Sequence, residues 1–435
     1  MPQPLEMALL GAGNRGTFAY GPYALMYPNE LRFVAVAELD DVKRARFAQA
    51  HGIPPERQFR SWEELLSRPQ LAEAVLNCTM DRDHIASSLA ALEAGYDMLL
   101  EKPMAARAEE CVQIVQTAER LGRTLQICHV LRYAPFFEQL YDVVHSGRLG
   151  DIVSVNHNEN LHYAHQAHSF VRGNWGNEGR SAPMILAKCC HDLDFLIWLL
   201  GENCVSLSSQ GSTKIFHSGR VGPNIPDRCL DGCPIADACP YYAPRIYLGP
   251  AASMFMVNAL TTDPTPEGRL RALETGPYGR CVYRCDNDVV DHQVVTMDFP
   301  SGTTVTLTMQ GFSHMEGRTM RIDGTRATLL GDSARNELCI FDHHTDPDIS
   351  VGHAEVLYPS RAGSGHGGGD YRILASFIRT MREGEPPLTT ARVSLESHLM
   401  AFAAEEARKE RTVVLMDEYR ARIEQQALAG IGSRE

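Results

Sequence analysis

The chemistry-bearing residues of this chain begin at Gly11-Ala-Gly-Asn-Arg-Gly16, three glycines at the spacing that accommodates a dinucleotide. An apolar run, Met7 to Leu10, leads into them and reads as a strand ending in a turn. In such a turn Gly11 makes the tight bend and Gly13 lets the backbone approach a pyrophosphate. Gly16 lets the following helix pack closely on the sheet. The phosphates then meet N–H groups at a helix N-terminus, where the dipole favours negative charge. A second apolar run, Phe33 to Ala37, ends in Glu38, about 20 residues on, where a carboxylate holds the adenosine ribose hydroxyls. An acid there also repels a 2′-phosphate, so NAD is the expected cofactor and NADP the lesser alternative. Arg15, inside the turn, argues the other way.

The elements that must position these groups follow a repeated strand–helix order. Further strands are expected at Ala74–Cys78, Asp97–Leu100 and Thr124–Cys128, with helices at about Asp83–Ala94 and Ala108–Leu121. That alternation predicts an α/β domain over residues 1–126, a doubly wound parallel sheet of Rossmann type with its ligand at the strand ends. Beyond Gly150 strands dominate: Ile152–Asn158, Val289–Phe299, Thr303–Met309, Met320–Ile322 and Ala327–Leu330. Helices return at about Tyr371–Arg382 and Ser394–Lys409. Residues 127–435 are therefore expected to form an α+β substrate domain on a largely antiparallel sheet. A Pro-, Gly-, Cys- and Tyr-rich stretch at about 213–286 looks inserted into it.

The chain has 435 residues, 44% of them hydrophobic, and a net charge of −13 spread without a basic stripe. Such a charge argues against nucleic acid and membrane surfaces as partners. There is no run of about 18 apolar residues to span a membrane, and no secretory signal pattern at the N-terminus. Cysteines in apolar segments, such as Cys78 and Cys128, read as reduced core residues, and the cytoplasm is the expected location.

The order of these pieces resembles the glucose–fructose oxidoreductase/inositol dehydrogenase (Gfo/Idh/MocA) oxidoreductases over most of the chain. The resemblance is carried by GAGNRG at Gly11–Gly16, NCTMDRDH ending at His84, and ALEAGYDMLLEKPMA around Glu101-Lys102-Pro103. It continues with RYAP at Arg132–Pro135, SGRLGDIVSV at Ser146–Val155, and HDLDFLIWLLG from His191. The resemblance implies an NAD(P)-dependent enzyme acting on sugars, sugar derivatives or cyclitols, and a homo-oligomer formed through the C-terminal sheet. Across the matched segments the expected cofactor-binding residues are Gly11, Gly13, Asn14, Arg15, Gly16, Glu38, Thr79, His84, Glu101 and Lys102. The expected substrate-binding residues are Lys102, Arg132, Asn158, Lys188 and His191.

Oxidising a secondary alcohol requires a base for the hydroxyl proton and a hydride acceptor on the other side of the carbon. Histidine suits the first task because its pKa lies near working pH. His191, just ahead of an apolar helix, is the candidate, and the resemblance assigns its counterpart to proton transfer. Lys102 follows the strand Met98–Leu100, at the sheet's carboxyl edge, where an ammonium stabilises alkoxide character. Glu101 is expected to orient Lys102 or the cofactor. Inositol-dehydrogenase-like members place an aspartate four residues before the histidine, whereas this chain has Ala187 there and Lys188 next. Lys188, the third candidate catalytic residue, is read either as a second cation at the substrate or as the mark of a subgroup with an anionic ligand. As a cation beside His191 it would hold that imidazole neutral. Asp194 is expected to brace the helix.

A polar stretch precedes this motif: Asn156, His157, Asn158, Glu159, Asn160, His162, His165 and His168. Alternate residues of a strand share a face, so the three asparagines could present amides to a polyhydroxylated ligand. His366-Gly-Gly-Gly-Asp370 reads as a flexible loop able to fold over a pocket. In the insertion, Cys229, Cys233, Cys239 and Cys281 could close a tetrahedral zinc site that staples a segment lacking its own core. An iron–sulfur site or disulfides remain open. Two enzymatic readings compete: a plain dehydrogenase, and a glycoside hydrolase that oxidises, eliminates, hydrates and re-reduces with one NAD. A nucleotide-sensing scaffold is the non-enzymatic third.

Overall fold

The computed structural model describes residues 3–344 and 352–432. Six strands form a parallel sheet: β1 (Leu5–Leu10), β2 (Leu31–Ala37), β3 (Gln58–Phe59), β4 (Ala74–Asn77), β5 (Asp97–Leu100) and β6 (Leu125–Ile127). Their order is β3-β2-β1-β4-β5-β6, so the chain reverses direction between β1 and β4. Ligands of open α/β sheets bind in the crevice that such a reversal leaves at the strands' carboxyl ends. β1 and β4 are buried along almost all of their length, which explains their unbroken apolar sequence.

The second sheet has nine strands: β7 (Ile152–His162), β8 (Ser206–Ser212), β9 (His292–Asp298), β10 (Thr304–Ser313), β11 (Gly317–Gly324), β12 (Ala327–Asp332), β13 (Glu337–Asp342), β14 (Glu355–Leu357) and β15 (Val413–Leu415). It is antiparallel except where β7 pairs with β10. Along β7, buried Val155, His157, Glu159 and Leu161 alternate with more exposed Ser154, Asn156, Asn158 and Asn160. The buried face carries the helix Met184–Leu200. That helix is buried nearly all round because the helix Ala391–Glu410 covers it as well.

One long-range packing contact joins the two ends of the chain. The helix Gly369–Glu383 packs Ile373, Leu374 and Phe377 against Leu5, Met7, Leu9 and Phe33. A segment from the far end of the sequence thus covers one face of the nucleotide-binding sheet. The insertion differs from expectation, because it has an apolar core of its own and a second cluster shared with Ala167 and Val171. The shared cluster gathers Phe216, Tyr241 and Val282, and the other Ala243, Tyr247, Leu273 and Tyr278.

The cysteines divide between these two cores: Cys229 packs in one, while Cys239 borders the other. Cys229 lies near the Arg172 guanidinium (3.6 Å). Among the described residues no group of three or more His, Cys, Asp or Glu side chains is placed to hold a metal ion. Cys229, Cys233, Cys239 and Cys281, the set expected for zinc, are free thiols in this structure. None of the helices among the described residues is long and apolar enough to cross a membrane.

Candidate active site

The nucleotide crevice is assembled from the residues that leave each parallel strand. After β1, Gly11 has φ +88°, and a Cβ there would lie 2.4 Å from the Cys78 carbonyl oxygen. A Cβ on Gly16 would lie 2.5 Å from the Gly11 carbonyl and 3.0 Å from Leu9. Gly13 differs, because a Cβ on it would meet nothing within 4 Å. Two glycines are thus fixed by packing, whereas the third keeps open space for a ligand. After β2, Glu38 reaches back to accept the Ala12 N–H at 2.8 Å, which sets a carboxylate beside the turn. These residues fit an NAD cradle: a bare backbone for the pyrophosphate and a carboxylate beside the turn for the ribose hydroxyls.

Arg15 does not point towards a 2′-phosphate position beside Glu38. Its Nε donates to Glu101 at 2.5 Å and its two terminal nitrogens donate to Asp370 at 2.9 and 3.1 Å. Tyr20 also donates to Glu101, at 2.7 Å. Burial works to raise the Glu101 pKa, but Arg15 and Lys102 outweigh it and hold the carboxyl below its usual range. Glu101 is thus a buried anion at the end of β5, and its backbone delivers Lys102 to the next position. Asn14 donates to the Phe255 carbonyl of the insertion (3.1 Å), so the inserted segment reaches the turn. After β4, Thr79 bonds Asn77, while His84 spans the carbonyls of Pro103 and Thr79 and braces the Glu101–Pro103 segment.

Lys102 and His191 come together from different domains. The Lys102 ammonium donates to the Ala187 carbonyl at 2.9 Å, one turn before His191 on the helix Met184–Leu200. His191 lies within that helix rather than ahead of it. It is 3% exposed, and neither ring nitrogen has a hydrogen-bond partner. Burial, then Lys102, hold its pKa well below the usual value, so the imidazole is neutral. A neutral, unpartnered imidazole beside an ammonium suits a hydroxyl that must lose its proton.

Lys188 is placed differently from the expectation. Its ammonium sits 3.3 Å from both Glu159 and Glu316. Burial opposes its charge, but these carboxylates more than offset that and raise its pKa. The cation that keeps His191 neutral is Lys102. Arg318 extends the network to Glu159 and Asp192, His157 bonds Asp192 at 2.7 Å, and His165 bonds Glu316 at 2.9 Å. His168 meets Tyr247, and His162 accepts the Ala164 N–H. The histidine-rich stretch is thus partnered residue by residue.

Two expected substrate contacts lie elsewhere. Arg132 holds Asp194 through two bonds of 2.6 and 2.7 Å and is 3% exposed, so it and Asp194 brace the helix. Asn158 bonds Thr319 on the face of β7 opposite Lys188 and Glu159. Because side chains alternate along a strand, Asn158 and Asn160 point away from His191, and Glu159 is the residue that points inward.

The loop His366–Asp370, expected to fold over a pocket, brings one pair of side chains together. His366 Nδ1 lies 2.9 Å from Asp370, and its ring centroid is 5.6 Å from that of His191. The turn that joins them is not helical, since His366, Gly367 and Gly368 all have positive φ, and no periodic signal in the sequence announces the contact. The surrounding glycines suggested flexibility, but they serve close packing. A Cβ on Gly369 would lie 2.2 Å from the Val130 carbonyl, and one on Gly368 2.2 Å from Ala362.

Comparison with known proteins identifies the fold and the family. The chain is 33% identical over 150 residues to trans-1,2-dihydrobenzene-1,2-diol dehydrogenase of Bos taurus, covering 34% of this chain and 44% of that one. It is 31% identical over 188 residues to inositol 2-dehydrogenase of Burkholderia multivorans, covering 43% of this chain and 52% of the relative. These matches thus span about half or less of the relatives' length. A solved levoglucosan dehydrogenase in complex with NADH superposes with a TM-score of 0.71 at 17% identity, over 95% of this chain and 99% of that one. The oxidoreductase-family model for the NAD-binding Rossmann fold matches residues 5–129, and that for the C-terminal alpha/beta domain matches residues 142–416. The chain belongs to the Gfo/Idh/MocA oxidoreductase family.

Proposed function

We propose that this oxidoreductase transfers a hydride between NAD and a secondary alcohol of a sugar, sugar derivative or cyclitol. The observation that carries the reading is the neutral, unpartnered His191 beside the Lys102 ammonium, at the carboxyl edge of a dinucleotide sheet. The names of the inositol and levoglucosan dehydrogenases among similar proteins support the substrate class. Bound NAD supplies the hydride acceptor. The turn from Gly11 to Gly16 holds its phosphates, and Glu38 holds its ribose and disfavours a 2′-phosphate, which puts NADP second. Lys102 hydrogen-bonds the substrate oxygen and stabilises the charge developing on it. His191 accepts the hydroxyl proton.

The hydrolytic alternative needs further acid/base groups at the sugar ring. Lys188 and the histidine-rich stretch, which would have served it, are engaged in ion pairs or hydrogen bonds. The test is to incubate the protein with NAD and myo-inositol, levoglucosan or aryl glycosides, following NADH absorbance and free aglycone together. Net NADH supports the dehydrogenase; aglycone without NADH supports the hydrolase; neither refutes both. The outward face of the nine-stranded sheet, where Asn160, Gln310 and Thr319 line a cavity of about 430 Å³, is the surface through which a second copy would pack. Sedimentation velocity reads that association.

A further inference from the structure

We infer that His366, oriented by Asp370, carries the reaction's proton between His191 and solvent. The inference rests on the dehydrogenase reading above and concerns what happens to the proton afterwards. His191 is almost fully buried and has no polar partner on either nitrogen. A proton it receives therefore has no path outward along its own helix. The rings packed edge or tilt-on against it are those of His129 and His366, each with its centroid at 5.6 Å. His129 is itself wholly buried and is held far below its usual pKa by burial and Arg132, so it leads inward. The His366 side chain is 32% exposed. It faces solvent on one side and His191 on the other.

The hydrogen-bond pattern fixes its tautomer. Arg15 and His366 keep the buried Asp370 carboxyl far below the usual carboxylate range, although burial alone would raise it. An ionised carboxylate only accepts, so Nδ1 of His366 must donate the 2.9 Å bond. Nε2 then carries the lone pair, and it makes no hydrogen bond among the described residues. The result is an aspartate–histidine pair, the device that the Ala187 position lacks, supplied here from a different segment. The backbone supports a selected role for the side chain: His366 has φ +52°, in the left-handed region that favours glycine. Glycine would suit that conformation, yet the position holds histidine among four glycines.

The proton balance is complete without another reactant. The substrate O–H proton goes to His191, and the C–H electron pair goes to the nicotinamide as hydride. The proton then passes to Nε2 of His366 and on to water.

His366→Gly, which suits the local φ, should bind NAD as the parent does. Its turnover of myo-inositol or levoglucosan should fall by about two orders of magnitude, with KM little changed. Added imidazole, able to enter through the exposed side, should restore turnover in His366→Gly but not in His191→Ala. A loss that imidazole does not restore, or no loss at all, overturns the inference; His366→Gln, which keeps side-chain bulk, must show the same deficit. A second arm needs no substrate. Diethyl pyrocarbonate should carbethoxylate His366 at its free Nε2 in the NAD complex and spare His191, as read by peptide mass spectrometry. An unmodified His366 overturns the inference even if no polyol turns over, whereas absent turnover with a modified His366 fails only the dehydrogenase reading.

Discussion

Arg15 and Asp370, 355 residues apart in sequence, meet in a two-pronged ion pair of 2.9 and 3.1 Å. The first stands in the dinucleotide turn and the second at the start of the helix Gly369–Glu383. The pair ties the cofactor loop to the segment that carries His366. Removing Arg15 would leave Glu101 and Asp370 as adjacent buried anions, an arrangement that costs several kcal/mol when both stay charged. The partial exposure of Arg15 reduces that cost through solvent screening.

Arg15→Ala should therefore lower the melting temperature and leave the ratio of NAD to NADP affinity unchanged. Scanning calorimetry with titrations of both cofactors checks it. A selective loss of NADP binding would instead show that Arg15 reaches a 2′-phosphate.

The glycines of the turn should separate binding from folding. Gly13→Val places its side chain in open space reserved for the pyrophosphate, so a folded protein without NAD affinity is expected. Gly16→Val forces a Cβ against the Gly11 carbonyl and should destabilise the domain even without cofactor. Circular dichroism melts and isothermal titration on both variants read the contrast; equal NAD affinity in folded Gly13→Val would remove the turn from the site. Glu38→Ala should weaken NAD more than NADP.

His191→Ala should lose about two to four orders of magnitude in turnover while NAD affinity holds. Lys102→Ala should lose turnover through the uncompensated oxygen charge. Steady-state kinetics on NADH formation, paired with fluorescence titration of NADH, gives both numbers. Near-normal turnover in the histidine variant would end its role as proton acceptor.

Acid should destabilise the fold earlier than carboxylate titration alone predicts. Burial, assisted by His129, holds His398 at about 3; burial, assisted by His165, holds His168 at about 3; burial holds His51 at about 4. Each titrates near 6.5 once unfolded. Between these limits the unfolded chain binds more protons than the folded one, so stability falls as pH drops from about 6.5 towards 4. Urea midpoints measured from about pH 7.5 down to 4.5 should be level at first and then decline. A level course down to pH 5 would contradict the neutral buried state of these histidines.

The parallel sheet was legible because its strands are continuous apolar runs and its turn has a glycine code. Glu38 and Lys102 follow the ends of β2 and β5, where the strand pattern puts them, whereas His191 lies inside the helix Met184–Leu200 and was picked out by the resemblance of the segment around it. The face of β7 was not legible. Period two identifies two faces but not which one meets a helix, and the amides of Asn156, Asn158 and Asn160 were the more conspicuous set. His157 and Glu159 are buried because Asp192, Lys188 and Arg318 neutralise them from other elements, and no local pattern announces that. The two-residue β3 and the three-residue β14 and β15 were too short to leave a periodic trace.

The helix Gly369–Glu383, packed on Leu5, Met7 and Leu9, has a consequence for synthesis on the ribosome. The last strand of the nucleotide sheet, β6, ends at Ile127, yet part of the sheet's apolar surface has no cover until residue 383 has left the exit tunnel. At about 5–20 residues per second, that interval lasts on the order of tens of seconds. For that time the nascent chain carries an open greasy face that invites chaperones. Nascent chains arrested near residue 340 should thus bind trigger-factor-type holdases through their first hundred residues and release them when arrest is moved past residue 420. Release already at the shorter length would show that the sheet closes without its distant helix.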